Sequence, residues 1–338
     1  MGSTIYDVAK EAGVSIATVS KVVNGTGRIS EKTIKHVNEV MRRLNYQPST
    51  IASALTSKRT YTLGIIVPNI ANPFFGEVTR IIEKYAHESG YTMMVCSTYN
   101  EIEREIQNIQ LLLRQQVDGM IIATEQISNE VLMELNIRNV PIVKFSAFND
   151  SEKMLSISTD NYKGGQKAAA YLYENGHRDI WIIGEKSRHS EQQRIAGFRA
   201  YFDQMGHELD DSVVFHSDTE YEDAIEMVKQ LLKQDNLPSA IFVTTDIVAV
   251  ILMNIAQQMG IRVPEDLSVI GFDNTIFAQL YHPQLTTIAQ PVNEMGCLAV
   301  ESLINTIEEK ITSPFQLTYF EPKLIERATV KKLEVKTV

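Results

Sequence analysis

Nine of the lysines and arginines of this 338-residue chain fall in its first 60 residues: Lys10, Lys21, Arg28, Lys32, Lys35, Arg42, Arg43, Lys58 and Arg59. Four acids stand against them (Asp7, Glu11, Glu31, Glu39), so this head carries +5, while the whole chain carries −10 and the remainder therefore −15. A basic head attracts a polyanion that the acidic remainder repels. Within the head, Ile16, Ala17, Ser20, Lys21 and Asn24 fall on one side of a short stretch whose other side is Val19, Val22 and Val23. Small residues permit close approach to a groove, and Lys21 and Asn24 offer hydrogen-bond donors to base edges. The competing reading is a three-helix protein-binding module, which the basic surplus counts against.

Signals of catalysis are weak. There is no Gly-x-Ser-x-Gly elbow and no phosphate loop ending in Gly-Lys-Ser/Thr. Gly25-Thr-Gly27 begins like a dinucleotide fingerprint, but Ser30 replaces the third glycine and helices flank it. Gly164-Gly165 opens a helix and could hold an anion there, or be a plain helix start. The seven histidines are scattered, with no i, i+4 pair for a metal. Cys96 and Cys297 lie far apart, which excludes a disulfide framework and zinc-finger spacing, and Cys297 falls on an apolar helix stripe. The expectation is a chain that is no enzyme and uses no metal and no cofactor.

Three short helices must hold the basic face. Thr4 caps the first, with Asp7 three residues on, and Gly13 stops it. Ser15 caps the second, and Asn24-Gly25 ends it. Ser30 starts a third with Ile34, Val37, Val40, Met41 and Leu44 inside. The first two, joined through Gly13-Val14-Ser15, make a helix-turn-helix unit. Pro48 can only open a new helix, and the short stretch Ser49 to Leu55 is marginal alone in water.

From residue 61 the pattern becomes strand and helix in alternation. Strand-like runs are Leu63–Val67, Thr92–Cys96, Gly119–Ala123, Ile142–Phe145, Ile180–Ile183, Ala240–Val243 and Ser268–Gly271. Helical stretches between them include Glu77–Glu88, Glu101–Gln115, Gly165–Glu174 and Ile247–Met259. Alternation of this kind predicts parallel sheets covered by helices, here in two lobes, with a ligand cleft beyond the strand ends.

The longest unbroken apolar run, Ile247 to Met253, has seven residues, against the roughly 18 a membrane span needs. No apolar secretion segment follows the start, and Tyr6 stands where a myristoylation site needs Ser or Thr. Forty-four per cent hydrophobic and 22% charged residues exclude disordered and fibrous classes. The expected location is the cytoplasm, with no membrane contact.

The stretch Thr4-Ile-Tyr-Asp-Val-Ala-Lys-Glu-Ala-Gly-Val-Ser-Ile-Ala-Thr-Val-Ser-Lys-Val-Val-Asn24, continued by Asn45-Tyr46-Gln47-Pro48, resembles the N-terminal signature of the LacI/GalR family of bacterial repressors. Further motifs extend the likeness over the whole chain: Val67-Pro-Asn-Ile-Ala-Asn-Pro-Phe-Phe-Gly76, Val117-Asp-Gly119, Asp160-Asn161, Arg194-Ile-Ala-Gly-Phe198, Thr245-Asp246, Gly271-Phe-Asp-Asn274 and Pro283 to Pro291. The resemblance implies an all-α, lambda-repressor-like helix-turn-helix head (1–47), a hinge helix and linker (48–60), and an α/β body (61–338). That body would be a doubly wound domain like the type I periplasmic binding proteins. Its N-lobe would span about 61–160 and 291–321, and its C-lobe about 161–290 and 322–330. Three chain crossings are expected, near Asp160-Asn161, Ala289-Pro291 and Glu321-Pro322.

Carried over by position, the DNA-contacting set would be Thr4, Ser15, Ile16, Ala17, Thr18, Ser20, Lys21, Asn24, Arg28 and Ser30. Ala52 would face the minor groove and Leu55 would wedge a base step, unless Leu55 packs head on body. Ser53 departs from the arginine common at that place. In the cleft, Phe74 and Phe75 would be stacking surfaces, or core residues. Arg194 would give a bidentate fork, and Asp246 and Asp273 would accept from hydroxyls or ring nitrogens. Asp273 could instead cap the following helix. Arg188, Ser190 and Asp160 complete the set, with Asp160 alternatively a lobe-crossing cap.

The function implied is a regulator, most often a repressor, that binds a double-stranded, palindromic operator as a homodimer. A small-molecule effector (sugar, sugar phosphate or nucleobase) would bind in the cleft. Ser146, where many sugar-responsive members have aspartate, departs from a simple hexose pattern. The alternative is a catabolite-control-type regulator whose co-effector is a phosphorylated carrier protein. Glu301 and Asn305 stand where that branch has a basic pair. The tail Lys331 to Val338, with the single leucine Leu333, lacks the heptads of family tetramers, so assembly is expected to stop at a dimer.

Overall fold

The computed structural model describes residues 3–23, 27–46, 59–124, 135, 138–146, 154–186, 188–217, 221–310 and 317–334. The proposed hinge helix, Asn24, Ala52 and Leu55 lie outside these residues.

In the head, α1 (Ile5–Ala12), α2 (Ile16–Val23) and α3 (Glu31–Arg43) enclose a small core of Val8, Ala9, Ala12, Val19, Val37 and Val40. Thr4 and Asp7 form a reciprocal capping box on α1, which holds the Asp7 carboxyl below its ordinary value. Gly13 closes α1 at φ 63°, a left-handed position that costs glycine nothing. Ser15 and Ser30 accept from the backbone N–H groups of Thr18 and Thr33, so each short helix starts on a hydroxyl. Asp118 accepts from the backbone N–H groups of Thr60 and Tyr61, both at 2.8 Å.

Among the described residues the body contains two six-stranded sheets. The first has the order β2 (Thr92–Ser97), β1 (Thr62–Val67), β3 (Gly119–Ile122), β4 (Ile142–Phe145), β5 (Leu155–Thr159), β11 (Leu317–Phe320). The second runs β7 (Val214–Ser217), β6 (Ile180–Glu185), β8 (Ala240–Val243), β9 (Ser268–Asp273), β10 (Thr286–Ala289), β12 (Lys323–Ile325). Pairings from β1 through β11 and from β7 through β10 are parallel, while β12 runs antiparallel to β10. The chain changes sheet after β5, after β10 and after β11.

Helices cover both sheets. In the first lobe, α4 (Pro73–Glu88) and α11 (Val292–Ile307) bury Val78, Ile82, Met295, Ala299 and Leu303 against Leu63, Ile65, Ile121 and Val143. The lobe also contains α5 (Ile102–Arg114). In the second lobe, Trp181 and Ile183 meet α8 (Tyr221–Leu231) and α9 (Asp246–Gln258), while Ile180 and Ile182 face α6 (Asn161–Glu174) and α7 (His189–Gln204). This period-2 split gives the second sheet an apolar core on each side. A short α10 (Ile276–Leu280) follows β9.

Two expectations need correction. Helix α6 starts at Asn161, so Gly164-Gly165 lie inside it rather than at its start. A Cβ on Gly165 would sit 1.9 Å from the carbonyl oxygen of Arg194, and one on Gly197 would sit 1.9 Å from that of Tyr162. These glycines let α6 and α7 touch backbone to backbone, which leaves no room for an anion. Strands β5, β7, β10, β11 and β12 also form outside the apolar runs expected as strands. Ser156, Ser158, Thr286 and Thr287 break the apolar runs, yet all four are buried.

Candidate functional site

On the head, Ser15, Ile16, Ala17, Lys21 and Arg28 are exposed, and Thr18 and Ser20 half-buried. Ile16 keeps 42% of its surface in solvent, an apolar residue spent on no core contact. The aliphatic stem of Lys21 lies beside Gly27, where an added Cβ would stand 3.2 Å from it. Thr4, Ser15 and Ser30 use their hydroxyls as caps, so they present the helix ends rather than free side chains. The outcome is one compact face combining small, apolar and cationic groups.

In the body, a cavity of about 240 Å³ lies on the seam between the lobes. Helix α4 supplies Phe74, Glu77 and Arg80 from the first lobe. The end of β9 and α10 supply Asp273, Asn274, Thr275 and Gln279 from the second, the chain crossing supplies Gln290, and the first turn of α11 supplies Asn293 and Glu294. Its floor is the carboxylate of Asp273, which is 8% exposed. Asp273 Oδ1 accepts from Gln290 Nε2 at 2.8 Å and from Arg194 Nη1 at 3.3 Å. Gln290 in turn accepts from Thr159 Oγ1 at 2.7 Å, linking the floor to the end of β5. Burial pushes the Asp273 carboxyl up to about 6 against the pull of Arg194 and Gln290. Asp273 also holds φ at 117° and Asn274 at 59°, strain of a kind that collects at functional sites.

Arg194 is 4% exposed and its guanidinium lies 3.8 Å from the centre of the Phe272 ring. Nε donates to Asn161 Oδ1 at 2.9 Å and Nη1 to the carbonyl of Thr244 at 2.6 Å as well as to Asp273. The fork expected to grip a ligand is therefore largely spent inside the lobe, where it positions Asp273. Nη2 has no hydrogen-bond partner among the described residues. Beside it, Glu191 accepts from Glu185 N and Thr244 Oγ1. Arg188 pairs with Glu185 at 2.7 Å and reaches the first lobe, 3.5 Å from Asn100 Oδ1 and 5.8 Å from the Phe75 ring. Ser190 is half-buried in the first turn of α7.

Of the eight cleft residues drawn from the sequence, Phe74 and Asp273 line the cavity. Phe75 belongs to the core of the first lobe, edge-on to Phe74 at 5.1 Å. Asp160 accepts from Lys163 N at 2.9 Å and caps α6, the alternative given for it. Thr275 occupies the N-cap position of the helix after β9, without a side-chain capping bond, so the capping position does not fall to Asp273. Asp246 is wholly buried and does not line the cavity. Its oxygens accept from Thr275 N, Thr275 Oγ1 and Thr287 Oγ1. Burial and the charge of Asp273 push it up to about 7. Reading along α4 would have found Glu77 and Arg80, which follow Phe74 at helical spacing. Asn274 and Gln290 stood inside quoted motifs but were not singled out.

No group of three or more metal-ligating side chains occurs among the described residues, and none of their helices is long and apolar enough to cross a membrane. Residues 4–49 match the family described as "Bacterial regulatory proteins, lacI family", and residues 169–330 a "Periplasmic binding protein-like domain". The HTH-type transcriptional regulator DegA of Bacillus subtilis is 42% identical over 300 residues, covering 88% of this chain and 89% of that protein. Catabolite control protein A of Priestia megaterium is 36% identical over 307 residues, covering 90% and 92%. A crystal structure of the lac repressor dimer, bound to operator and the anti-inducer ONPF, matches with a TM-score of 0.86 at 27% identity, covering 98% of this chain and 100% of that one. With a helix-turn-helix head, a two-sheet α/β body and relatives of this identity over nearly their full lengths, the chain belongs to the LacI family of DNA-binding transcription regulators.

Proposed function

We propose that the protein is a ligand-controlled repressor, a binding protein rather than an enzyme. In this reading it is built of a DNA-binding head (1–47), a hinge (48–60) and an effector-binding body, and it occupies a palindromic operator as a homodimer. The observation that carries the reading is the cavity on the lobe seam, whose floor, Asp273, is held by two residues from separate parts of the chain, Arg194 of α7 and Gln290 of the crossing after β10. A molecule bound there touches both lobes and so favours one angle between them. Control of DNA binding then follows from the difference in its affinity for the two lobe arrangements. The exposed face of α2 is the base-reading surface, with Lys21 its donor.

A second copy has a surface to meet. Ile276, Phe277 and Leu280 of α10 are 49%, 41% and 73% exposed, an apolar cluster that a lone chain leaves in water. A catabolite-control reading gains support from the second relative named above, but Glu301 on α11 is exposed and acidic, and would repel a phosphorylated carrier. The test is a thermal-shift panel of sugars, sugar phosphates and purines on the full chain, followed by operator titration with each hit. A ligand at 100 times its Kd adds about 2.7 kcal/mol to stability. The reading fails if no small molecule both shifts Tm and changes operator affinity.

A further inference from the structure

From the charge arrangement of the seam cavity we infer that its natural occupant is a small polyhydroxylated molecule carrying a protonated amine, rather than a phosphorylated or carboxylated one. The inference rests on the effector-site reading above and concerns only the class of ligand. Three carboxylates line the cavity, Asp273, Glu77 and Glu294, against one guanidinium, Arg80. Arg80 is itself drawn to Glu77 at 3.5 Å and stands 67% in solvent, where its charge is screened. The two arginines nearer the second sheet are neutralised already: Arg188 by Glu185 at 2.7 Å, and Arg194 by Asp273 at 3.3 Å. With Glu77 paired to Arg80 and Asp273 to Arg194, an incoming phosphate would find, among the described residues that line the cavity, no uncompensated cation and one uncompensated carboxylate, Glu294.

The floor points the same way. Asp273 is nine-tenths buried, and both of its hydrogen bonds from protein donors end on Oδ1. Oδ2 has no partner among the described residues. Oδ2 is not sealed off from solvent, so a ligand in the cavity can supply its donor, and the strongest such bond is charge-assisted. An ammonium supplies that bond and offsets the cavity's surplus of negative charge, whereas a hydroxyl supplies only the bond. The side chains of Asn293 and Gln279 provide neutral donors and acceptors around it, suited to hydroxyls. At about 240 Å³ the cavity falls just below the range of roughly 300–1,000 Å³ found for drug-sized ligands, which fits a monosaccharide-sized occupant.

The test is isothermal titration of the full-length protein with three probes of one ring size: D-glucosamine, D-glucose and D-glucose 6-phosphate. Glucosamine should bind about tenfold tighter than glucose, the difference between a charged and a neutral hydrogen bond, and glucose 6-phosphate should give no heat. Asp273→Asn should bring the ratio of glucosamine to glucose towards one, and Glu294→Gln, on the rim and away from any core, should lower it without disturbing the fold. Glucose or its phosphate binding as tightly as glucosamine overturns the inference, and if that heat is lost in Arg194→Ala the cleft reading still stands. No heat from glucosamine also overturns it, while the cleft reading falls only if the wider thermal-shift panel is silent too.

Discussion

Replacing Asp246 by asparagine should flatten the pH dependence of stability between about pH 5 and 7. The side chain is wholly buried at the start of α9, with three protein donors on its two oxygens. Burial first, then the charge of Asp273, pushes its carboxyl up to about 7, against about 3.9 in an unfolded chain. Between those values the unfolded chain has lost a proton that the folded protein keeps. Stability therefore falls as pH rises through the window, by about 1.4 kcal/mol per unit, and levels off above the folded value. From pH 5 to 7 this one site removes about 2 kcal/mol, because the slope halves as pH reaches the folded value. Asparagine does not titrate, keeps an acceptor for Thr275 and turns a donor towards the Thr287 hydroxyl. The buried His177, lowered by its own burial, slopes the other way and cancels when variant and parent are subtracted. Urea midpoints at closely spaced pH values between 5 and 8 give that difference, which should change by about 2 kcal/mol up to pH 7 and level off by pH 8. Parallel curves would refute the idea that Asp246 carries a buried proton.

Other variants probe the frame and the head. Gly165→Ala should destabilise by about 3 kcal/mol or more, because its methyl meets the Arg194 carbonyl at 1.9 Å and neither backbone can yield; a loss under 1 kcal/mol in chemical denaturation would contradict the close helix contact. Arg194→Ala leaves Asp273 buried without its cation and should cost about 3–5 kcal/mol, read from the same unfolding curves, with the cavity losing its ligand as the floor shifts. Lys21→Ala should relax base preference by about 1–3 kcal/mol at one position of each half-site, measured by competition between operators, whereas loss that is uniform over all sequences would reassign Lys21 to phosphate.

Much of this architecture is written in local signals. Thr4 with Asp7, Gly13, Ser15 and Ser30 mark the head's helix ends because capping chemistry needs those residue types at those places. Apolar runs such as Ile180–Ile183 and Ala240–Val243 announce strands covered on both faces. Legibility fails where burial is polar. The threonines of β10 are wholly buried because Asp246, Thr329 and the backbone of Arg327 satisfy them, partners that are 40 or more residues away. Asp246 misleads for the same reason, since a carboxylate anchoring two threonines looks, in one dimension, like one awaiting a sugar. Asp160 and Phe75 show the limit of reading by position: each stands in a family motif, but one caps a helix and the other fills a core.

The two edge strands β11 and β12 bear on the order in which the newborn chain can fold. The head's core is built from residues 5–46 alone, so it can close while most of the protein is still unmade. Neither sheet of the body has that freedom. The first lobe awaits α11 for Met295, Ala299 and Leu303 and then β11 for its edge. The second awaits β12, and with it Thr329, whose hydroxyl donates to Val269 O, and Lys331, whose carbonyl faces the buried His177. Such distant pairings close slowly, and half-made sheets expose sticky edges. During synthesis there is thus an interval in which a finished head is tethered to an unfinished body, and a site on DNA can be engaged before anything exists to sense a ligand.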